Sequence, residues 1–365
     1  MIYALIMAGG IGSRFWPKSR VSHPKQFLRF INEKSLLQTT VDRIRPLVPV
    51  ERILISTNSD YVDLVMKQIP DLPKKNIIGE PVAKNTAPCI AFASALIHHR
   101  DPDATLIVLP SDHFIQNDDA FLKDLQACVR FAGENGRLVT IGITPTRPET
   151  GYGYIQYNDA HQISSDGDFA YPVKTFAEKP DMQTALKFLQ SGDFLWNSGM
   201  FIWKTRDILN EIEQHLPVLY HQVEIFAGDL KKNKGKIRKE TLETVYNSCF
   251  SVSIDYGIME KSENVIVVPS QFSWSDLGSW MAIYELLQDK TDENGNVLQS
   301  ERVFTVRSQN CYVESDSSKL IALVGLQGIG VIETEDALLL CKLDDSQHVK
   351  EVYDYLKGEI FNKYR

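Results

Sequence analysis

The sequence predicts an α/β fold: a Rossmann-like mixed, mainly parallel sheet flanked by helices, followed by a small β-helix-like C-terminal module. Three observations predict it. Residues 1–145 alternate short apolar runs with helical patterns, residues from 150 onward mix the two signals, and residues 303–341 carry five short strand-like runs. In the first region Ile2–Met7, Ile53–Thr57, Thr105–Leu109 and Leu138–Ile143 are rich in Val, Ile and Leu. Gly, Pro, Ser or Asp bound each of them, the pattern of strands buried on both faces. Helical patterns at Leu36–Arg45, Tyr61–Gln68, Pro88–His99 and Asp119–Asn135 separate the strands and imply βαβ units. The ligand of such a sheet is expected beyond the carboxyl ends of its strands.

After residue 150, Gly153–Tyr157 and Val173–Ala177 read as strands, and Met182–Gln190 and Arg206–His215 as helices. Lys231–Glu240 is basic and broken by a glycine, and reads as a solvated loop or helix face. A helix over Trp280–Gln288 closes a first domain, residues 1–288, and the polar stretch Asp289–Asn296 links it to a second, residues 289–365. In the second, Val303–Val306, Cys311–Glu314, Leu320–Val324, Gly330–Glu333 and Ala337–Cys341 are spaced like one coil of a β-solenoid, and Val349–Leu356 reads as a terminal helix. So small a module buries too little surface to stand alone. It is expected to pack on the large domain or on a second copy, which suggests a homodimer.

Composition excludes several classes. Of 365 residues, 43% are hydrophobic and 24% charged, as in folded proteins rather than disordered ones. The net charge of −8 argues against nucleic acid as a partner. No apolar run of about 18 residues predicts a membrane span. Met1–Gly10 lacks a basic start and reads as a core strand rather than a signal peptide. Five scattered cysteines with no C-x-x-C spacing point to reduced thiols and a cytoplasmic location.

The chemistry is carried by five segments. Ala8, Gly9, Gly10, Gly12, Ser13 and Arg14 form a glycine loop where the first strand ends. Its glycines let the main chain turn and approach a phosphate, and its N–H groups form an anion cradle. It is neither a dinucleotide fingerprint, which needs a glycine where Phe15 stands, nor a Walker A loop. Arg14 and, further on, Lys25 are cations that reach phosphates. Leu109–His113 places Asp112 at a strand end, and Trp274–Trp280 sets Asp276 between two tryptophans. Each is a carboxylate of the kind that holds Mg²⁺ beside phosphates. Thr175–Pro180 carries Glu178, an acceptor for sugar hydroxyls, and Lys179, a partner for a sugar phosphate. Gly151 and Asn197 lie in neighbouring glycine-rich stretches. Gly79–Pro88 opens a helix, with Asn85 or Thr86 as its N-cap and Pro88 in its first turn.

Taken together, these segments resemble the sugar-1-phosphate nucleotidylyltransferase family, and within it the mannose-1-phosphate guanylyltransferases. The matching stretches are AGGIGSRFWPKSR at 8–20, HPKQF at 23–27, EPVAKNTAP at 80–88 and LPSDH at 109–113. TGYGYI at 150–155, FAEKP at 176–180, WNSGMF at 196–201 and WSDLGSW at 274–280 follow in family order. They cover residues 1 to about 290, and the remainder is similar to the β-helical tail of the shorter bacterial enzymes. Phe15 stands where the family often has Leu, and Ala177 where it often has Val; neither removes a chemical group. Longer members add a phosphomannose isomerase domain, for which this chain is too short.

The resemblance implies a nucleotidyltransferase fold of GT-A type and the reaction of GTP with mannose 1-phosphate to give GDP-mannose and pyrophosphate. It assigns Arg14 to the β,γ-phosphates, Lys25 to the phosphate centre, Asp112 and Asp276 to Mg²⁺, Lys179 to the sugar phosphate, and Glu178, Asn197 and the Gly151 main chain to the mannose hydroxyls. It places the base beside Glu80, Asn85 and Thr86. Guanine offers two adjacent donors, and a carboxylate at Glu80, read as a loop residue, accepts both; the alternative is that Glu80 is a solvated loop acid and that main-chain groups near Gly10 and Asn85 read the base. Other sugar 1-phosphates, glucose or heptose, and a non-catalytic GDP-mannose-binding regulator remain as alternatives.

Overall fold

The computed structural model describes residues 1–134, 136–358 and 360–365, so the expected end of one helix at Asn135 lies outside the described residues. The chain divides into two compact units. The first comprises Met1–Gly9, Thr40–Ser111 and Ile115–Trp274; the second comprises Gly10–Thr39, Asp112–Phe114 and Ser275–Arg365.

The strands are β1 (Ile2–Ala8), β2 (Ile53–Asn58), β3 (Ile77–Glu80), β4 (Thr105–Pro110), β5 (Phe114–Gln116), β6 (Leu138–Ile143), β7 (Tyr154–Tyr157), β8 (Ile163–Ser165), β9 (Asp168–Ala177), β10 (Phe194–Lys204), β11 (Val265–Pro269) and β12 (Ser273–Ser275). The ten-stranded sheet of the first unit runs β3-β2-β1-β4-β10-β6-β11-β9-β7, with β8 on β9. The β3-β2-β1-β4 portion is parallel, as the helical crossovers predict. Beyond it the sheet is mixed: β10 is antiparallel to both β4 and β6, while β11 is parallel to β6. The central strand β10 is broken by a register shift between Asn197 and Phe201, which is why alternation in the sequence does not announce it.

The helix Thr86–Arg100 is buried from Ala87 to Ile97. Its apolar residues run all round rather than along one stripe, and it is covered accordingly. Phe92 packs against Phe226 at 5.3 Å and Tyr246 at 4.8 Å, from the helices Pro217–Lys232 and Lys239–Ser248. Those two helices are absent from the sequence reading, and the basic stretch Lys231–Glu240 spans the end of the first, the turn over 233–238 and the start of the second.

The second unit holds β13 (Val297–Gln299), β14 (Val303–Val306), β15 (Tyr312–Ser315), β16 (Ile321–Val324), β17 (Ile329–Glu333) and β18 (Leu338–Lys342). Two parallel ladders, β13-β15-β17 and β14-β16, make the expected solenoid coil around Cys311, Val313, Leu323 and Val331. A second core joins the coil to the glycine-loop segment through Phe15, Trp280, Tyr312 and Tyr353. Among the described residues no helix is long and apolar enough to cross a membrane.

Candidate active site

The second unit gathers the glycine loop from Gly10 with Lys25, Asp112 and Asp276. Gly12 has φ +73°, and a Cβ there would lie 2.2 Å from the Cβ of Lys25. Gly12 is therefore required by its neighbour as well as by its own left-handed backbone. The Lys25 N–H donates to the Ile11 carbonyl at 3.0 Å, which draws the lysine under the loop. Its ammonium donates to Asp112 Oδ2 and to the main-chain oxygen of Asp276, both at 2.8 Å, and lies 5.3 Å from the Phe15 ring centre. Lys25 is buried, only 4% exposed. Burial pushes the Asp112 carboxyl up, but the charges of Lys25 and His113 outweigh it and hold it below the ordinary carboxylate range.

Asp276 precedes Leu277, a non-glycine residue at φ +47°, and Gly278. A Cβ at 278 would stand 2.8 and 3.0 Å from the two Asp276 carboxylate oxygens, so only glycine leaves that carboxylate its space. Two hard oxygen donors in one unit fit Mg²⁺, which takes one or two carboxylates and fills its shell with phosphate oxygens and water. Among the described residues no three His, Cys, Asp or Glu side chains converge as a ready-made metal cage. Ser13 begins the short turn Ser13–Phe15, and Arg14 is exposed. The loop's other cations turn to the tail instead. Lys18 pairs with Glu314 at 3.0 Å, and Arg20 pairs with Asp336 at 2.7 Å and donates to the Tyr364 carbonyl.

In the first unit, Ala8 ends β1 and its carbonyl accepts from Thr57 Oγ1 at 2.8 Å, with exposed Gly9 following. Glu80 ends β3 rather than standing on a loop: the strand runs two residues longer than its apolar pair Ile77–Ile78 suggests, because it is held by β2. Its side chain is buried and accepts from Ser56 Oγ at 2.7 Å; burial raises its pKa. Asn85, at φ +66°, caps the helix through the Thr86 N–H at 2.8 Å. The Thr86 hydroxyl accepts from the Ile254 N–H at 2.8 Å, a partner 168 residues away.

A second group in this unit surrounds Gly153. The exposed side chains of Glu178 and Lys179 pair at 3.1 Å. The Gly151 N–H donates to Glu149 Oε1 at 3.0 Å, so this group is engaged within its own loop. Asn197 lies at the break in β10; its N–H donates to the Gly153 carbonyl at 2.8 Å and its side-chain amide to Asp255 at 2.7 Å. Tyr152 stands edge-on between Trp196, at 5.2 Å, and Trp274, at 5.1 Å. The sequence reading missed Asp255, because nothing about one acid in a run of mixed character marks it.

A nucleotidyl transferase family model matches residues 3–293, and a model described as a MannoseP isomerase/GMP-like beta-helix domain matches residues 301–356. A mannose-1-phosphate guanylyltransferase of Salmonella muenchen is 40% identical over 365 residues, covering 99% of this chain and 74% of that protein. One from Klebsiella pneumoniae is 38% identical, covering 100% of this chain and 76% of that one. A crystal structure from Thermus thermophilus, described as a mannose-1-phosphate geranyltransferase, superposes with a TM-score of 0.84 at 33% identity, covering 98% of this chain and 99% of that one. The expected resemblance is borne out, and the chain belongs to the nucleotidyl transferase family, in its mannose-1-phosphate guanylyltransferase branch.

Proposed function

We propose that this enzyme transfers GMP from GTP to α-D-mannose 1-phosphate, giving GDP-mannose and pyrophosphate. The observation that carries the mechanism is the Lys25 ammonium, buried against Phe15 and shared by Asp112 and the Asp276 main chain. An oxygen of the sugar phosphate attacks the α-phosphorus in line, a new P–O bond forms, and the bond to the β-phosphate oxygen breaks as pyrophosphate leaves. The nucleophile is already anionic, so no general base is needed, and catalysis rests on positioning and charge neutralisation. Lys25 serves the phosphate centre and exposed Arg14 the leaving phosphates, beside the main chain of Gly9, Gly10, Gly12 and Ser13. Lys179 takes the sugar phosphate; Glu178, Asn197 and the Gly151 main chain take sugar hydroxyls.

The proposal includes Mg²⁺ on Asp112 and Asp276, where it would neutralise phosphate charge. Glu80 is proposed to face the base edge with Asn85 and Thr86, its carboxylate serving Ser56 as well. The division into residues 1–288 and 289–365 belongs to the same reading, supported by the separate family models over the two parts. So does a cytoplasmic homodimer, supported by five free cysteines and by Phe304, Val306, Leu320 and Val324, which leave an apolar stretch of the coil exposed. The test is pyrophosphate release from GTP with a panel of sugar 1-phosphates. Turnover with mannose 1-phosphate above glucose and heptose 1-phosphates is expected. Preference for another sugar overturns the substrate, and no turnover with any overturns the enzyme.

A further inference from the structure

The proposed mechanism leaves unused a carboxylate that the fold brings to the sugar-binding candidates. Residues Asp255–Met259 form a single π-helical turn. Such turns insert an extra residue and concentrate at functional sites. This one presents Asp255 Oδ1 to the side-chain amide of Asn197, which donates to it through Nδ2 at 2.7 Å. The other end of that amide is held as well: Asn197 Oδ1 accepts from the Gly199 N–H at 3.0 Å. The amide orientation is thereby determined, with one N–H and one oxygen lone pair remaining for a ligand. The Gly199 N–H holds the oxygen end of the amide, and Asp255 holds the nitrogen end by accepting from it.

Gly153 brings a third group into the cluster. A Cβ at 153 would stand 2.7 Å from Glu178 Oε2 and 3.4 Å from Asn197 Cβ, so the carboxylate and the amide converge over a residue that must lack a side chain. Burial pushes the Asp255 carboxyl up and the Glu178 charge adds to this, as two acids near one amide require. Carboxylate, amide and carboxylate together offer the acceptors and the donor that adjacent hydroxyls of a sugar satisfy.

We infer that Asp255 is a positioning residue for sugar recognition: by holding Nδ2 of Asn197 while the Gly199 N–H holds Oδ1, it fixes the direction in which that amide presents its remaining N–H and lone pair to the sugar hydroxyls. The inference rests on the proposed function. Its test is the KM for the sugar 1-phosphate, measured beside the KM for GTP, in Asp255→Ala, Asp255→Asn and Asn197→Ala. Asp255→Ala removes the acceptor and is expected to raise the sugar KM about tenfold, the scale of one lost hydrogen bond, while the GTP KM stays within twofold. It should also lower the preference for mannose over glucose 1-phosphate. Asp255→Asn keeps an acceptor oxygen and should restore most of the affinity. In an Asn197→Ala background, which also serves if Asp255→Ala alone folds poorly, Asp255→Ala should add little, since the two act as one unit. Equal rises in both KM values, no rescue by Asp255→Asn, or additive effects with Asn197→Ala would each overturn the inference. Wild-type turnover of a sugar other than mannose 1-phosphate would count against the substrate assignment alone; the same comparison with the accepted sugar then decides the role of Asp255.

Discussion

Replacing Lys25 with Met separates the charge of this residue from its packing. The methionine keeps an unbranched stem beneath Gly12 and beside Phe15, where Lys25 is 4% exposed. What disappears is the ammonium and its two 2.8 Å hydrogen bonds, to Asp112 Oδ2 and the Asp276 carbonyl. A hydrogen bond to a charged group contributes about 1.5–3 kcal/mol when buried. The Asp112 side chain is 34% exposed and water can replace part of what it loses, so the stability cost should sit near the lower figure. The catalytic cost should be larger. A fixed donor lost from where charge develops in a transition state costs about 2.7–4 kcal/mol, or roughly 10²–10³ in kcat. Steady-state pyrophosphate release should therefore show kcat falling at least a hundredfold, with a much smaller rise in the KM for GTP. Urea unfolding of the same preparation should show a loss of about 1–2 kcal/mol. A variant that loses that stability yet turns over within threefold of wild type would show that Lys25 is a structural ion pair and refute its place at the phosphate centre.

Asp112→Asn and Asp276→Asn should each lower kcat by orders of magnitude and raise the Mg²⁺ concentration needed for half activity, with the double variant little worse than either alone; near-normal turnover of Asp276→Asn removes the shared metal. Glu80→Gln swaps an acceptor for a donor and should cost on the order of 1–3 kcal/mol of GTP binding and narrow the preference for GTP over UTP; a loss of thermal stability with an unchanged base preference would assign Glu80 to its Ser56 contact alone. Asp124 accepts from the Gln271 N–H at 2.7 Å, and burial pushes its carboxyl up to about 6. A folded pKa above the unfolded one means that the folded state holds the proton more tightly. Stability contributed below about pH 4 is then lost as pH rises through 6, by about 3 kcal/mol at most. Asp124→Asn should flatten the stability difference between pH 4 and 7 and be more stable than wild type at pH 8; parallel pH profiles for the two proteins would contradict the assignment.

Local pattern was enough for β1, β2 and β4 of the parallel portion of the sheet, though not for all of β3, and for the runs of the solenoid coil from residue 303 onward. Leu138–Ile143 forms a strand with the bounds its apolar run predicts, and the runs between 303 and 341 each become a strand within a residue or two. Residue type was also enough to single out the glycine loop, Lys25, Asp112 and Asp276, because close main-chain turns, cations and hard carboxylates carry their chemistry in short motifs. It was not enough for β10, whose alternation is interrupted at Asn197, nor for the helices that cover Thr86–Arg100, whose place depends on a helix apolar on every side needing a second layer. Nor does a motif state what its residues touch. That Gly12 makes room for Lys25, and that Lys18 and Arg20 serve the tail rather than the loop's ligand, are contacts between separate segments of the chain, while the room that Gly278 leaves the Asp276 carboxylate depends on how the turn through Leu277 folds. Asp255 is the clearest case. It stands 58 residues from the amide it holds, with no signature around it. Only the tertiary structure decides such a pairing, because hydrogen bonds of about 3 Å depend on where the fold returns the chain, and no local period encodes that return.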